Sequence, residues 1–227
     1  MSRYERNKPI ISDSDQESLS RCTAAVVGLG GLGGHIAEQL VRIGFGSLIL
    51  IDCDRVEPSN LNRQLFADTN TVGVQKTAAA QARLSAINPD TALTFYNERL
   101  EGENAVRLLS GADIVLDALD NIPSRRVLRD ACVALNLPFV HGAIGGWYGQ
   151  VSFVNPADKT FDWLYPDELD KLTSMGNPAF TPALVASIQV SQAVKWRLQR
   201  GDLLSDCVLF LDLLTNSFDV IRVESCL

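Results

Sequence analysis

Gly28, Gly30 and Gly33 stand at the GxGxxG spacing, directly after the apolar run Ala24–Val27 and before a helical pattern. Glycines so placed allow a tight turn and bring bare backbone N–H groups up to a phosphate at a helix N-terminus. Asp52 ends the next strand candidate, nineteen residues after Gly33, where a carboxylate meets the ribose of a nucleotide whose phosphates rest on the turn. Turn and carboxylate together do not separate ATP from NAD. The loop that follows, Asp54 to Gln64, lies at the carboxyl end of that strand, where ligands bind in open α/β sheets. It offers Asn60 and Gln64 as amide donors and Arg63 as a planar cation, and Lys76 follows in the first turn of the next helix. Two cations beside the phosphates suit a triphosphate with a charged leaving group, whereas hydride transfer has no use for them.

Asp113, Asp117 and Asp120 run along a fourth strand to its carboxyl end, followed by Asn121 and Arg125. Asp113 is expected to cap the strand start. Asp120 and Asn121 emerge at the same edge as the glycine turn, and a lone carboxylate beside phosphates is the common way to hold Mg²⁺. Other chemistry is thinly represented. The two histidines, His35 and His141, read as structural, and no Ser-His-Asp or Cys-His arrangement is recognisable. The five cysteines (Cys22, Cys53, Cys132, Cys207 and Cys226) form no CxxC, so neither a zinc site nor a disulfide framework is suggested. Cys53 and Cys207 are expected as small buried hydrophobes and Cys226 as the freely reactive thiol. What remains is positioning and charge stabilisation, the mode of nucleotidyl transfer.

These residues need a frame that brings their strand ends to one edge. Strand candidates 24–28, 47–52, 92–97, 113–118 and 138–142 alternate with helical patterns at 32–43, 74–87, 103–110 and 123–136. Near-continuous apolar strands in such alternation predict a doubly wound, Rossmann-like α/β fold with a mostly parallel sheet. After Gly142 the pattern changes. A strand at 147–155 can pair with its predecessor through a Gly145-Gly146 turn, a helix spans about 182–200, and two strands at 207–212 and 218–223 extend the sheet antiparallel. Ser14-x-x-Glu17 offers a capping box for a short helix in a polar arm, residues 1–23. Without repeats or linker composition the chain reads as one domain over 1–227, with a long loop before the last helix marked for function.

The balance of 20 basic to 27 acidic residues argues against nonspecific nucleic-acid binding. No apolar run reaches membrane-spanning length and the first residues lack a signal-peptide core, so a cytoplasmic location is expected, without membrane attachment.

Read together, the markers resemble the MoeB/ThiF/HesA family, bacterial relatives of the ubiquitin-activating enzymes. They are Arg3-Tyr4-Glu5-Arg6, Gly28-Leu29-Gly30-Gly31-Leu32-Gly33, Asp52-Cys53-Asp54, Ser59 to Gln64, Gly73 with Lys76, Asn88-Pro89, and Asp120-Asn121 with Arg125. The resemblance implies a homodimeric adenylyltransferase that uses Mg·ATP to join AMP to the C-terminal glycine carboxylate of a small β-grasp sulfur-carrier protein ending in Gly-Gly. Carried over, Gly31 and Asp52 hold the nucleotide, with Gly28, Gly30, Gly33, Asp54 and Gln64 around it. Asn60, Arg63 and Lys76 contact phosphates, Asp120 holds Mg²⁺, and Asn121 and Arg125 flank it. Arg6 is implied to reach from one subunit's arm into the other's ATP site. Relatives that carry a structural zinc hold it on two CxxC pairs, which this chain lacks, so no zinc is expected. A cysteine for thioester or acyl-disulfide transfer is likewise missing from the crossover loop, residues 156–180, so the reaction is expected to stop at acyl-adenylate with a separate sulfur donor. In that loop Phe161, Trp163 and Tyr165 can either meet the carrier's tail or pin the loop to the body. An NAD-linked oxidoreductase, and a same-fold enzyme acting on a peptide or a tRNA, are the alternative readings.

Overall fold

The computed structural model describes residues 3–166 and 175–223. Five strands, β1 (Thr23–Val27), β2 (Ser47–Ile51), β3 (Ala92–Tyr96), β4 (Ile114–Asp117) and β5 (Phe139–Gly145), pair in parallel in the order β3-β2-β1-β4-β5. Strands β6 (Tyr148–Val154), β7 (Cys207–Asp212) and β8 (Ser217–Arg222) then continue the same sheet antiparallel, giving eight strands. The expected doubly wound sheet with its antiparallel extension is thus the observed one.

The chain builds outward from β1 to β3, then returns to place β4 on the other side of β1. Val27 and Asp117 are register partners, so the crevice of this reversal opens where their strands end. Alternate strand residues go to opposite faces, as a period of two requires. Ala24, Val26, Leu48, Leu50, Ile114 and Leu116 join one core with helices α2 (Gly31–Ile43), α3 (Lys76–Ile87) and α7 (Phe180–Leu198). Ala25, Val27, Ile49, Ile51 and Val115 join the other with α4 (Ala105–Leu109), α5 (Ile122–Leu135) and α6 (Thr160–Leu164). Gly44 closes α2 and Asn88 ends α3, each where expected.

Three local expectations need correction. The helix of the arm, α1 (Asp13–Ser20), is capped by Ser12 and not by Ser14: Ser12 Oγ accepts from Asp15 N–H, and the Asp15 carboxylate accepts from Ser12 N–H at 2.8 Å. The long loop before α7 contains α6, five residues whose first N–H, on Thr160, donates to Asp158 Oδ1 at 2.6 Å. Cys53 is only half buried, whereas Cys207 is buried as anticipated; Cys226 lies outside the described residues. Among the described residues no helix is long and apolar enough to cross a membrane.

The junction at the head of α2 leaves no room for side chains. Gly28 has φ +94°, and a Cβ there would stand 2.7 Å from the Ala118 carbonyl oxygen. A Cβ on Gly33 would stand 1.7 Å from the Gly28 oxygen, inside any tolerable contact. Gly33→Ala must therefore push α2 off β1, and urea unfolding should show a loss of about 2–4 kcal/mol. Gly102 has nothing within 4 Å of such a Cβ, and Gly102→Ala should stay within about 0.5 kcal/mol of the unsubstituted chain.

Candidate functional site

The crevice at the β1–β4 reversal is a cavity of about 400 Å³, within the range of cofactor sites. Its floor is Gly28, Gly30 and Gly31; around it stand Asp52, Asp54, Arg63, Gln64, Lys76, Asp120, Asn121 and Arg125. Gly30 caps α2, and the first N–H groups of that helix have no partner within the helix. They make a local positive field at the cavity floor.

Asp52 follows β2 directly and is nearly buried, with both carboxylate oxygens held: one accepts from Leu29 N–H at 2.6 Å, the other from Asp54 N–H at 2.8 Å. Lys76, the first residue of α3, sends Nζ to 2.9 Å from Asp54 Oδ2 and 3.8 Å from Asp52 Oδ2. One buried ammonium thus serves two carboxylates. Burial raises the Asp52 pKa, and the Lys76 charge and the two backbone N–H groups oppose that rise. Asp54, more exposed, is lowered, first by its hydrogen bond from Lys76. Between these two aspartates lies Cys53, a half-buried cavity residue whose thiol is pushed up by burial and by Asp54. It stays protonated at neutral pH.

Arg63 packs its stem over Gly31, 3.5 Å from where a Cβ would be, and Nη1 donates to Ser59 O at 3.1 Å and Asn62 Oδ1 at 2.9 Å. Asn62 Nδ2 in turn donates to Asn177 O at 3.0 Å, tying this loop to the segment before α7. Gln64 is buried beside Gly30. At the opposite rim Asp120 is exposed, and its Oδ1 accepts from Asn121 Nδ2 at 3.1 Å. Asn121 is the N-cap of α5, its Oδ1 accepting from Ser124 N–H. Asp120 is a carboxylate with open coordination at the cavity edge, a donor suited to Mg²⁺ shared with phosphates and water. Among the described residues no three His, Cys, Asp or Glu side chains gather as a metal cluster.

Four of the expected residues stand elsewhere or do other work. Asn60 does not line the cavity: its Oδ1 turns back to accept from Glu57 N–H at 3.0 Å and so closes the short 3₁₀ turn Pro58–Asn60. Gly33 sits behind the floor and serves the packing of α2. Arg6 is exposed on the arm, away from the cavity of its own chain. Arg125 lines the cavity, but its guanidinium is spent on the protein: Nη1 donates to Tyr165 Oη at 2.6 Å and Nη2 to Leu119 O at 2.5 Å. Residues not singled out as nucleotide contacts also line the cavity, among them Glu98 and Arg99 after β3 and Met175 and Asn177 before α7. Their only sequence signal is position, at strand ends and in the long loop. His141 is buried and bonded as expected, and Asp113 accepts from Thr23 N–H at the head of β1. Of the loop aromatics, Phe161 and Tyr165 pack into the body while Trp163 is exposed.

Lys76→Met should cost about 1–3 kcal/mol at neutral pH, because it strands Asp52 as a buried charge without its cation. The sign follows from the two carboxyls. Without Lys76 the Asp52 pKa climbs further and Asp54 loses its lowering, so both favour protonation more than in the intact chain. The deficit should therefore shrink as pH falls into mild acid, where Asp52 is neutralised. Urea unfolding at the two pH values checks this, and an equal deficit at both would contradict it.

The comparisons with known proteins agree with this geometry. The ThiF family model matches residues 4–226. The sulfur carrier protein adenylyltransferase of Thermus thermophilus is 36% identical over 99% of this chain and 88% of its own length. The SAMP-activating enzyme E1 of Haloferax volcanii is 33% identical over 97% of this chain and 84% of its own. In fold, the chain is similar to Escherichia coli MccB solved with ATP, with TM-score 0.84 and 18% identity over 99% of this chain and 72% of that one. The chain belongs to the ThiF family and is an adenylyltransferase.

Proposed function

We propose that the chain adenylates the C-terminal glycine carboxylate of a small ubiquitin-like sulfur-carrier protein, consuming ATP and releasing pyrophosphate. One observation carries the reading: a single cavity gathers a glycine floor at a helix N-terminus, the Asp52 carboxylate, the cations Arg63 and Lys76, and an exposed rim carboxylate. Names of relatives, a sulfur carrier protein adenylyltransferase and a SAMP-activating enzyme, support the carrier as acceptor. Hydride transfer would leave Arg63, Lys76 and Asp120 without roles.

In this reading Asp52 accepts the ribose hydroxyls and the N–H groups at Gly30 and Gly31 meet phosphate oxygens. Arg63 and Lys76 balance the charge that builds as the carrier's carboxylate oxygen attacks the α-phosphorus in line. The new bond is carboxylate oxygen to α-phosphorus. The bond broken joins α-phosphorus to the bridging oxygen, which leaves with its electron pair on pyrophosphate. The acyl carboxylate is its own nucleophile, so no side-chain nucleophile is needed. Asp120, with Asn121 beside it, would hold Mg²⁺, which supplies charge neutralisation to the phosphates. Asn60 supports the reaction through its loop and not by contact. Arg6, exposed on the arm, completes the site of a second copy in a homodimer, and a separate protein donates sulfur after the acyl-adenylate forms. The whole chain, 1–227, works as one adenylation domain.

Incubation with ATP, labelled pyrophosphate and a carrier ending in Gly-Gly should give exchange into ATP that depends on the carrier. Exchange that appears only with a peptide or a tRNA would replace the acceptor, and NADH turnover without exchange would replace the reaction. Asp120→Ala should lower the exchange rate about 100-fold or more while the thermal midpoint stays unchanged; unaltered exchange would remove Asp120 from the site.

A further inference from the structure

Behind the cavity wall lies a buried polar junction that the reaction as described does not use. Tyr165 stands just past α6, and its ring is buried against Phe161 and His141. Its hydroxyl accepts from Arg125 Nη1 at 2.6 Å and from Gln150 Nε2 at 2.9 Å, and lies 3.1 Å from His141 Nε2. Burial lowers the His141 pKa, so the ring is neutral. With its proton on Nδ1, 2.7 Å from Asp117 Oδ2, Nε2 is left as an acceptor that the Tyr165 O–H and the Gln150 amide, each at 3.1 Å, share.

Arg125 carries the junction forward to the rim. Its Nε lies 3.5 Å from Asp117 Oδ2, and Nη2 donates to Gly142 O at 3.3 Å as well as to Leu119 O. Leu119 N–H donates to Asp117 Oδ1 at 3.0 Å. The residue before Asp120 is therefore gripped on both sides, its N–H by Asp117 and its carbonyl by Arg125. Nε is buried without a hydrogen-bond partner, so the guanidinium is held by the bonds of its two terminal nitrogens, and the Tyr165 hydroxyl takes the one from Nη1.

We propose that Tyr165 is a positioning residue for Asp120: acting through Arg125 and the Leu119 carbonyl, it makes the geometry of the rim depend on how the segment carrying α6 is seated. Removing the hydroxyl frees Nη1, lets the guanidinium swing, and releases Leu119 while the ring still fills its place in the core. The inference rests on the adenylation reading only for its kinetic arm.

The test is Tyr165→Phe, followed by hydrogen–deuterium exchange resolved to peptides and by the pyrophosphate-exchange assay. Amides of Leu119 to Asn121 should exchange about tenfold faster, with β1 and α2 unchanged. The turnover number should fall about tenfold with the KM for carrier preserved. Unchanged exchange at Leu119 to Asn121 would overturn the inference. So would faster exchange spread evenly over β1, α2 and β4, which would make Tyr165 a core residue and nothing more. If the unsubstituted chain shows no pyrophosphate exchange, the adenylation reading fails, and the amide exchange still decides the role of Tyr165.

Discussion

Helix α2 begins where it does because positions 28 and 33 carry no side chain. Three backbones, the turn after β1, the first turn of α2 and Ala118 just past β4, meet there with no room for a methyl group. That contact puts a helix N-terminus at the strand reversal and leaves its amides facing the cavity. It also sets the distance from the glycine floor to the Asp120 rim, since Ala118 is both the neighbour of Gly28 and the start of the rim loop. Every later feature of the site is arranged about this junction.

Charge is then placed on the frame with unusual economy for an acidic chain. The net charge is −7, yet the cavity holds Lys76 and Arg63 near the glycine floor. Lys76 is buried and kept by Asp52 and Asp54, so its position is set before any ligand arrives, and little reorganisation is needed when charge develops. Asp117 and Arg125 do the same from behind for the opposite rim. Both pairs are buried, and both would be costly if one member were removed.

Much of this was legible in the sequence because it is local. Period-two apolar runs marked the strands, GxGxxG marked the turn, and Asp52, Lys76 and Asp120 follow strand ends that the sheet brings to one edge. What was missed depends on contacts far apart in the chain or on competing local patterns. Ser12-x-x-Asp15 and Ser14-x-x-Glu17 overlap, and spacing alone does not choose between them. Asn60 looked like a free amide, but Pro58 starts a 3₁₀ turn that draws its side chain back to Glu57. Arg125 read as a nucleotide contact because its chief partner, Tyr165, lies 40 residues downstream, just past a helix too short to show a period. That same partner decides the loop aromatics: Phe161 and Tyr165 anchor the segment, and Trp163 faces outward.

On the proposed function, the cavity presents the α-phosphate of ATP to an incoming carboxylate. Labelling the carrier's C-terminal carboxylate with oxygen-18 tests it most directly. After adenylation and hydrolysis at the acyl carbon, the AMP released should carry the label. Labelled inorganic phosphate with formation of ADP, or AMP free of label, would contradict it.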